Sequence, residues 1–224
     1  MKVNPKITKY IEENILTKYS KNNYGGHGKD HILEVIKRSF EIIDEFNLDV
    51  NHDIIYVVAA YHDIGYQENP DEHESVSSQL FLDDENIKNF FNAEEIQIIS
   101  EAIVDHRASL EYEARSIYGK IVSSADRETS VERMLLRSLL YQTERHASKT
   151  TTINDIIEAS YKKLSSKFGK NGYAKMYYPD QKYKDYLTEM QELLNNKEKF
   201  HERELNLSQK HQKEIDAIFQ KVLA

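Results

Sequence analysis

The chain has no cysteine among its 224 residues. That excludes a disulfide framework, thiolate zinc sites and a cysteine nucleophile, and it fits a reducing interior. Tryptophan is absent, and glycine (7) and proline (3) are scarce, so few positions force the backbone to turn. No apolar run approaches the ~20 residues that a membrane span needs. The opening segment, MKVNPKITKYIEEN, lacks the uninterrupted apolar core of a secretory leader, which makes the cytoplasm the expected compartment. An excess of positive charge is missing as well. The formal net charge of −8 weighs against general attraction to nucleic acid or to an anionic membrane. An acidic protein that handles phosphates must concentrate positive charge locally, through a metal ion or a few Arg and Lys side chains. Phosphate-binding and nucleophile motifs are lacking too: there is no P-loop, no GxGxxG after a strand, no GxSxG and no HExxH.

What remains is a helix-forming composition, rich in Glu, Lys, Leu and Ile. Asn4-Pro5 opens a first helix, with Asn as cap and Pro at the first helical position. The segment KNNYGGHGKD, 21–30, breaks the pattern. A second helix starts near Gly28-Lys29-Asp30 and carries Ile32, Val35, Ile36, Ile43 and Phe46. A third begins at Asn51-His52-Asp53. Ile54, Ile55, Val57, Val58, Ala59 and Ala60 make it apolar nearly all round, so it is expected at the centre of the core. Further helices are read around 76–81, from a capping box at Asn92 and Glu95, over 117–126, over 131–140 and from Thr152 to Phe168. The remainder, 180–222, reads as heavily charged helix. No segment shows the period-2 alternation of strands. The expectation is an all-α fold, a helical core over 1–150 and a C-terminal helical extension over 151–224 packed on it in the same domain. Tyrosine is unusually frequent at 15, and packing of long helices by amphipathic aromatics is the plain reading.

The chemistry is concentrated among the nine histidines. His52, His146, His201 and His211 sit in polar surroundings and are read as surface residues. His62 and Asp63 differ, because they close the most apolar helix, and a buried Asp is costly unless paired or bound to a cation. His31 sits beside the Ile32, Val35, Ile36 stripe, and Asp126 follows the apolar run IVSSA. Imidazoles and carboxylates gathered in this way suit a divalent ion such as Mn, Fe, Mg, Co, Ni or Zn while leaving positions open for water and substrate.

The four positions, each in its helical context (HILEV from His31, AAYHDIGY around the doublet, SSADR to Asp126), resemble the HD-domain superfamily of metal-dependent phosphohydrolases over roughly residues 24–130. The resemblance implies a helical fold in which His31, His62, Asp63 and Asp126 coordinate metal. It also implies that His73 and His106 are further ligands, as in members with two metals. In such a site a water between ions about 3.5–4 Å apart becomes nucleophilic near neutral pH, and Asp63 orients it. Lys29, Arg107 and Arg127 each adjoin a ligand in sequence and are read as phosphate-holding residues. His27, four residues before His31, either lines the same mouth by helical spacing or simply occupies a Gly-flanked loop, and Lys170 to Tyr178 is read as a loop that covers a nucleotide or is solvated. The expected substrate is a small phosphorylated molecule, a nucleotide above all. Splitting a nucleoside triphosphate into monophosphate and pyrophosphate is one concrete version. Two alternatives stay open: a di-iron oxygenase using the same ligands, and a non-catalytic helical interaction protein that retains the fold. Self-association into a homo-oligomer is also left open.

Overall fold

The computed structural model describes residues 2–19 and 27–223. Part of the expected break at 21–30 therefore lies outside the described residues. Among those described the chain is all-helical, without a strand. The helices are α1 (Pro5–Tyr10), continued by a π-helical turn (Ile11–Ile15), α2 (Lys29–Phe46) and α3 (His52–Tyr61). A 3-10 turn (Ile64–Gln67) follows, then α4 (His73–Leu82), α5 (Glu85–Lys88), α6 (Ala93–Asp105) and α7 (Ile117–Ala125). The series ends with α8 (Val131–His146), α9 (Ile153–Phe168), α10 (Gln181–Leu194), α11 (Lys197–Lys210) and α12 (Gln212–Leu223). None of the described helices is long and apolar enough to cross a membrane.

The caps read from sequence are made. Asn4 accepts from the Lys6 amide at 3.0 Å, Asn51 from Asp53 at 3.0 Å, and Asn92 and Glu95 close a reciprocal capping box. Thr152 and Asp155 close a second one. The short helix α5 carries no apolar periodicity of its own; the Asp84 side chain caps it from outside.

Two compact units result. The first comprises residues 1–127 together with 175–180, and the second comprises 128–174 with 181–224. The helix α8, which the sequence reading joins to the core through residue 150, groups with the second unit. In the first unit α3 is the central helix. Every residue from Ile54 to Tyr61 is buried, and α3 packs on α2, α6 and α7. At roughly 1.5–3 kcal/mol for a fully buried large apolar side chain, α3 anchors this core. The tyrosine excess has a structural account here. Tyr10 and Tyr61 both donate to Asp84 at 2.7–2.8 Å, and Tyr19 donates to the Ala60 carbonyl at 2.7 Å. A phenol fills apolar space and satisfies a polar group at its tip. In the second unit α9 packs on α8, α10 and α11, and α12 packs on α8.

Candidate metal centre

Helix ends deliver the site residues. His62, His106 and Asp126 are the C-cap residues of α3, α6 and α7. Helix C-termini carry partial negative charge and favour a cation beside them. His31 lies in the first turns of α2, and His73 is the first residue of α4. Asp63 follows His62, where the backbone leaves α3 for the 3-10 turn. That turn is held close to α4 at Gly65, whose amide donates to Ser77 Oγ at 2.9 Å. A Cβ on Gly65 would lie 2.7 Å from the Ser77 nitrogen.

Two donor groups share one carboxylate. In the first, His31, His62, Asp63 and Asp126 each offer an atom within 4.8 Å of the others. His31 Nε2 is 3.1 Å from Asp126 Oδ1 and 3.5 Å from Asp63 Oδ2. His62 Nε2 is 3.2 Å from Asp63 Oδ2. In the second group, Asp63 Oδ1 faces His73 Nε2 at 3.4 Å and His106 Nε2 at 3.5 Å, and these two nitrogens are 3.2 Å apart. All six residues that the sequence nominated as ligands are therefore brought together, with Asp63 in both groups.

The imidazoles are aimed by their own backbone. Nδ1 of His62, His73 and His106 lies 2.8, 3.0 and 2.6 Å from the carbonyls of Ala59, Pro70 and Ile103, each three residues earlier. With Nδ1–H donated to a carbonyl, the ring is fixed in the tautomer that presents an Nε2 lone pair inward. Three buried atoms, His31 Nε2, His62 Nε2 and Asp63 Oδ1, have no hydrogen-bond partner. Buried polar atoms left in this state are costly; a cation in the first group would satisfy the two imidazole nitrogens, and one in the second would satisfy Asp63 Oδ1. The oxygen and imidazole donor set suits such an ion.

Without a cation, protons carry the compensating charge. Burial opposes ionisation of Asp63, but the imidazoles of His62, His27 and His106 outweigh it and hold its carboxyl well below the usual range. Asp126 is likewise held low by His31 and His62 against its burial. Burial disfavours the charged form of His31, yet Asp126 and Asp63 raise its pKa to about 10. Asp63 raises His106 against burial in the same way. His73 is lowered, by burial and by the neighbouring His106.

The nominated cations are placed differently. Arg127 is buried and donates to Ser123 Oγ at 2.7 Å and to the Lys175 carbonyl at 3.1 Å. Arg107 pairs with Glu74 and donates to the Asp71 carbonyl at 2.9 Å. Lys29, half-buried at the start of α2, makes no ion pair among the described residues. The loop residues Tyr177 and Tyr178 are fastened through their amides to Ser124 Oγ, both at 3.2 Å, while Lys170 belongs to the second unit.

Sequence reasoning missed Glu74 and Tyr66. Glu74 Oε2 is buried without a hydrogen-bond partner, 3.5 Å from His73 Nδ1; its position directly after a ligand was the available signal. Tyr66 stacks on His27 with ring centroids 3.8 Å apart, while His27 Nδ1 lies 2.6 Å from Asp63 Oδ2. No sequence spacing announces that stack.

Residues 28–130 match the family model of the HD domain. The match supports HD-domain superfamily membership for that span, which is a little under half of the chain. The HD domain so matched contains all six clustered His and Asp residues and ends just past the first unit's main segment. No curated protein and no solved structure matches the chain significantly.

Proposed function

We propose that this protein is a metal-dependent phosphohydrolase that cleaves a phosphoester or phosphoanhydride bond of a small phosphorylated substrate, a nucleotide above all, with two divalent ions drawn from Mn, Fe, Mg, Co, Ni and Zn. One observation carries the reading: Asp63 is common to two donor groups in which three buried atoms have no hydrogen-bond partner. His31, His62, Asp63 and Asp126 would hold one ion, and Asp63, His73 and His106 the other. When bound, such a pair supplies Lewis acidity and a water acidic enough to attack phosphorus at neutral pH.

The chain's own residues set up the rest. The backbone carbonyls behind His62, His73 and His106 keep the imidazoles from rotating, so the donors are in place before substrate arrives. Asp63 turns Oδ2 to the first group and Oδ1 to the second, and would orient the attacking water once the ions are bound. Lys29, together with the amide end of α2, meets the phosphate charge. Arg127 acts behind the site, joining the ends of α6 and α7. Arg107 keeps Glu74 in place next to His73. The stacked rings of Tyr66 and His27 give a flat wall beside Asp63 against which a base can lie.

The test uses purified full-length protein: metal content by elemental analysis, then a panel of nucleotides and phosphate esters with Mn(II) or Mg(II), in air and under nitrogen. Phosphate or pyrophosphate release that persists without oxygen is the expected result. Absence of release with every metal tried would sink the reading, and oxygen consumption by an iron-loaded sample would replace it with the oxygenase.

A further inference from the structure

A buried arginine joins the first and last residues of the donor set. Arg38 lies about two turns after His31 on α2. Its Nη1 donates to the carbonyl of Arg127, the residue after Asp126. Its Nε and Nη2 reach both oxygens of Asp180 at 3.2–3.3 Å. Arg38, Arg127 and Asp180 are all buried. The Arg127 guanidinium in turn reaches the His106 carbonyl at 3.4 Å, Ser123 Oγ at 2.7 Å and Asp126 Oδ2 at 3.5 Å. One connected set of charged groups thus runs from α2, which bears His31, through the end of α7, which bears Asp126. Asp180 closes it from outside the span of the family match.

A buried ion pair adds little stability, since desolvating both charges offsets most of their attraction. What it does impose is register, because a guanidinium fork accepts a carboxylate and a carbonyl in few arrangements. We propose that Arg38 and Asp180 are positioning residues for the metal centre, holding α2 against the end of α7 so that His31 Nε2 and Asp126 Oδ1 keep the 3.1 Å spacing needed to share one cation. This rests on the metal-binding reading above.

The test titrates Co(II) into the full-length chain, followed by calorimetry and by the visible absorption of the bound ion, with melting measured in parallel. Asp180→Ala is expected to weaken uptake at the His31 group by roughly 10–100-fold and to alter the Co(II) band, as loss of an outer-shell partner does. Asp180→Asn, which keeps one acceptor, recovers part of the loss. In an Asp126→Asn background the Asp180→Ala change should cost less than about twofold, because the residue it acts through is already altered. Uptake within about threefold of wild type, or a penalty undiminished in the Asp126→Asn background, overturns the proposal. Should Asp180→Ala not fold, Arg38→Met/Asp180→Leu removes both charges without stranding one and is judged by the same criteria. Wild-type protein that takes up no Co(II) refutes the metal reading itself; wild-type uptake with unaffected variants refutes only the positioning role.

Discussion

Two buried carboxylates, one in each unit, are pushed in opposite directions. Asp63 is 2% exposed and ringed by imidazoles, which hold its pKa well below the ordinary value. Glu204, on α11 of the second unit, is 0% exposed. It meets one hydroxyl: Ser160 Oγ lies 2.5 Å from Oε1 and 2.7 Å from Ser138 Oγ. Its Oε2 has no hydrogen-bond partner. Burial, only partly relieved by Ser160, raises Glu204 to about 8. Both sites leave a carboxylate oxygen unpartnered, yet only Asp63 has nitrogen donors on every side. An orphaned acid therefore signals a cation where imidazoles converge on it, and a neutral, protonated carboxyl where they do not.

The comparison breaks most directly at Asp63. Asp63→Asn is expected to abolish metal uptake at both groups and to bring activity to background, whereas His73→Ala should leave one of two ions bound; elemental analysis of the purified variants distinguishes these outcomes. Glu204→Asn or →Gln should leave metal content unchanged. Glu204→Gln tests the opposite arm. With a folded pKa of about 8 against an ordinary 4.5, the stability tied to its proton is fully present below 4.5 and is lost as pH rises through about 8. Wild-type protein should thus lose roughly 2–5 kcal/mol between pH 5 and pH 9 from this group, and Glu204→Gln should not. Denaturant unfolding at the two pH values, with metal present to hold the first unit constant, measures the difference.

Proton competition gives the next effect. His31 must shed its proton to bind a cation, and its pKa of about 10 lies above neutrality. Affinity for Co(II) should therefore rise up to about tenfold per pH unit between pH 6.5 and 9. A flat profile would remove His31 from the ligand set. The smallest effect is expected at the Asp84 carboxylate. Tyr61→Phe deletes one of two phenols on Asp84 and should cost about 1 kcal/mol by thermal or chemical denaturation, with metal affinity unchanged.

The clustering of these His and Asp residues was legible because each closes or opens an apolar helix, and the apolar pattern says which end is buried. His62 and Asp126 follow the driest runs in the chain, and Asn92 with Glu95 places the helix that delivers His106. Tyr66 and the Arg38–Asp180 pair were not legible, since their partners lie far away in sequence and no periodicity reports a contact of that kind. Proximity along the chain did not announce the other partners of Arg107 and Arg127, which are Glu74 for the first and Ser123 and the Lys175 carbonyl for the second. The division between units also escaped the pattern, because α8 is as amphipathic as the helices before it, and nothing local says that residues 175–180 belong with the first unit.

That returning hexapeptide bears on how a fragment should be cut. An expression boundary drawn at residue 130, where the family match stops, would delete Asp180 and take from the buried Arg38 guanidinium its carboxylate partner. It would also strip Ser124 Oγ of the two amides that reach it. A minimal folded piece must therefore carry the distant tether, by fusion or as an added peptide, and recovery of a truncated domain on addition of that peptide in trans would reveal a split protein already latent in the chain order.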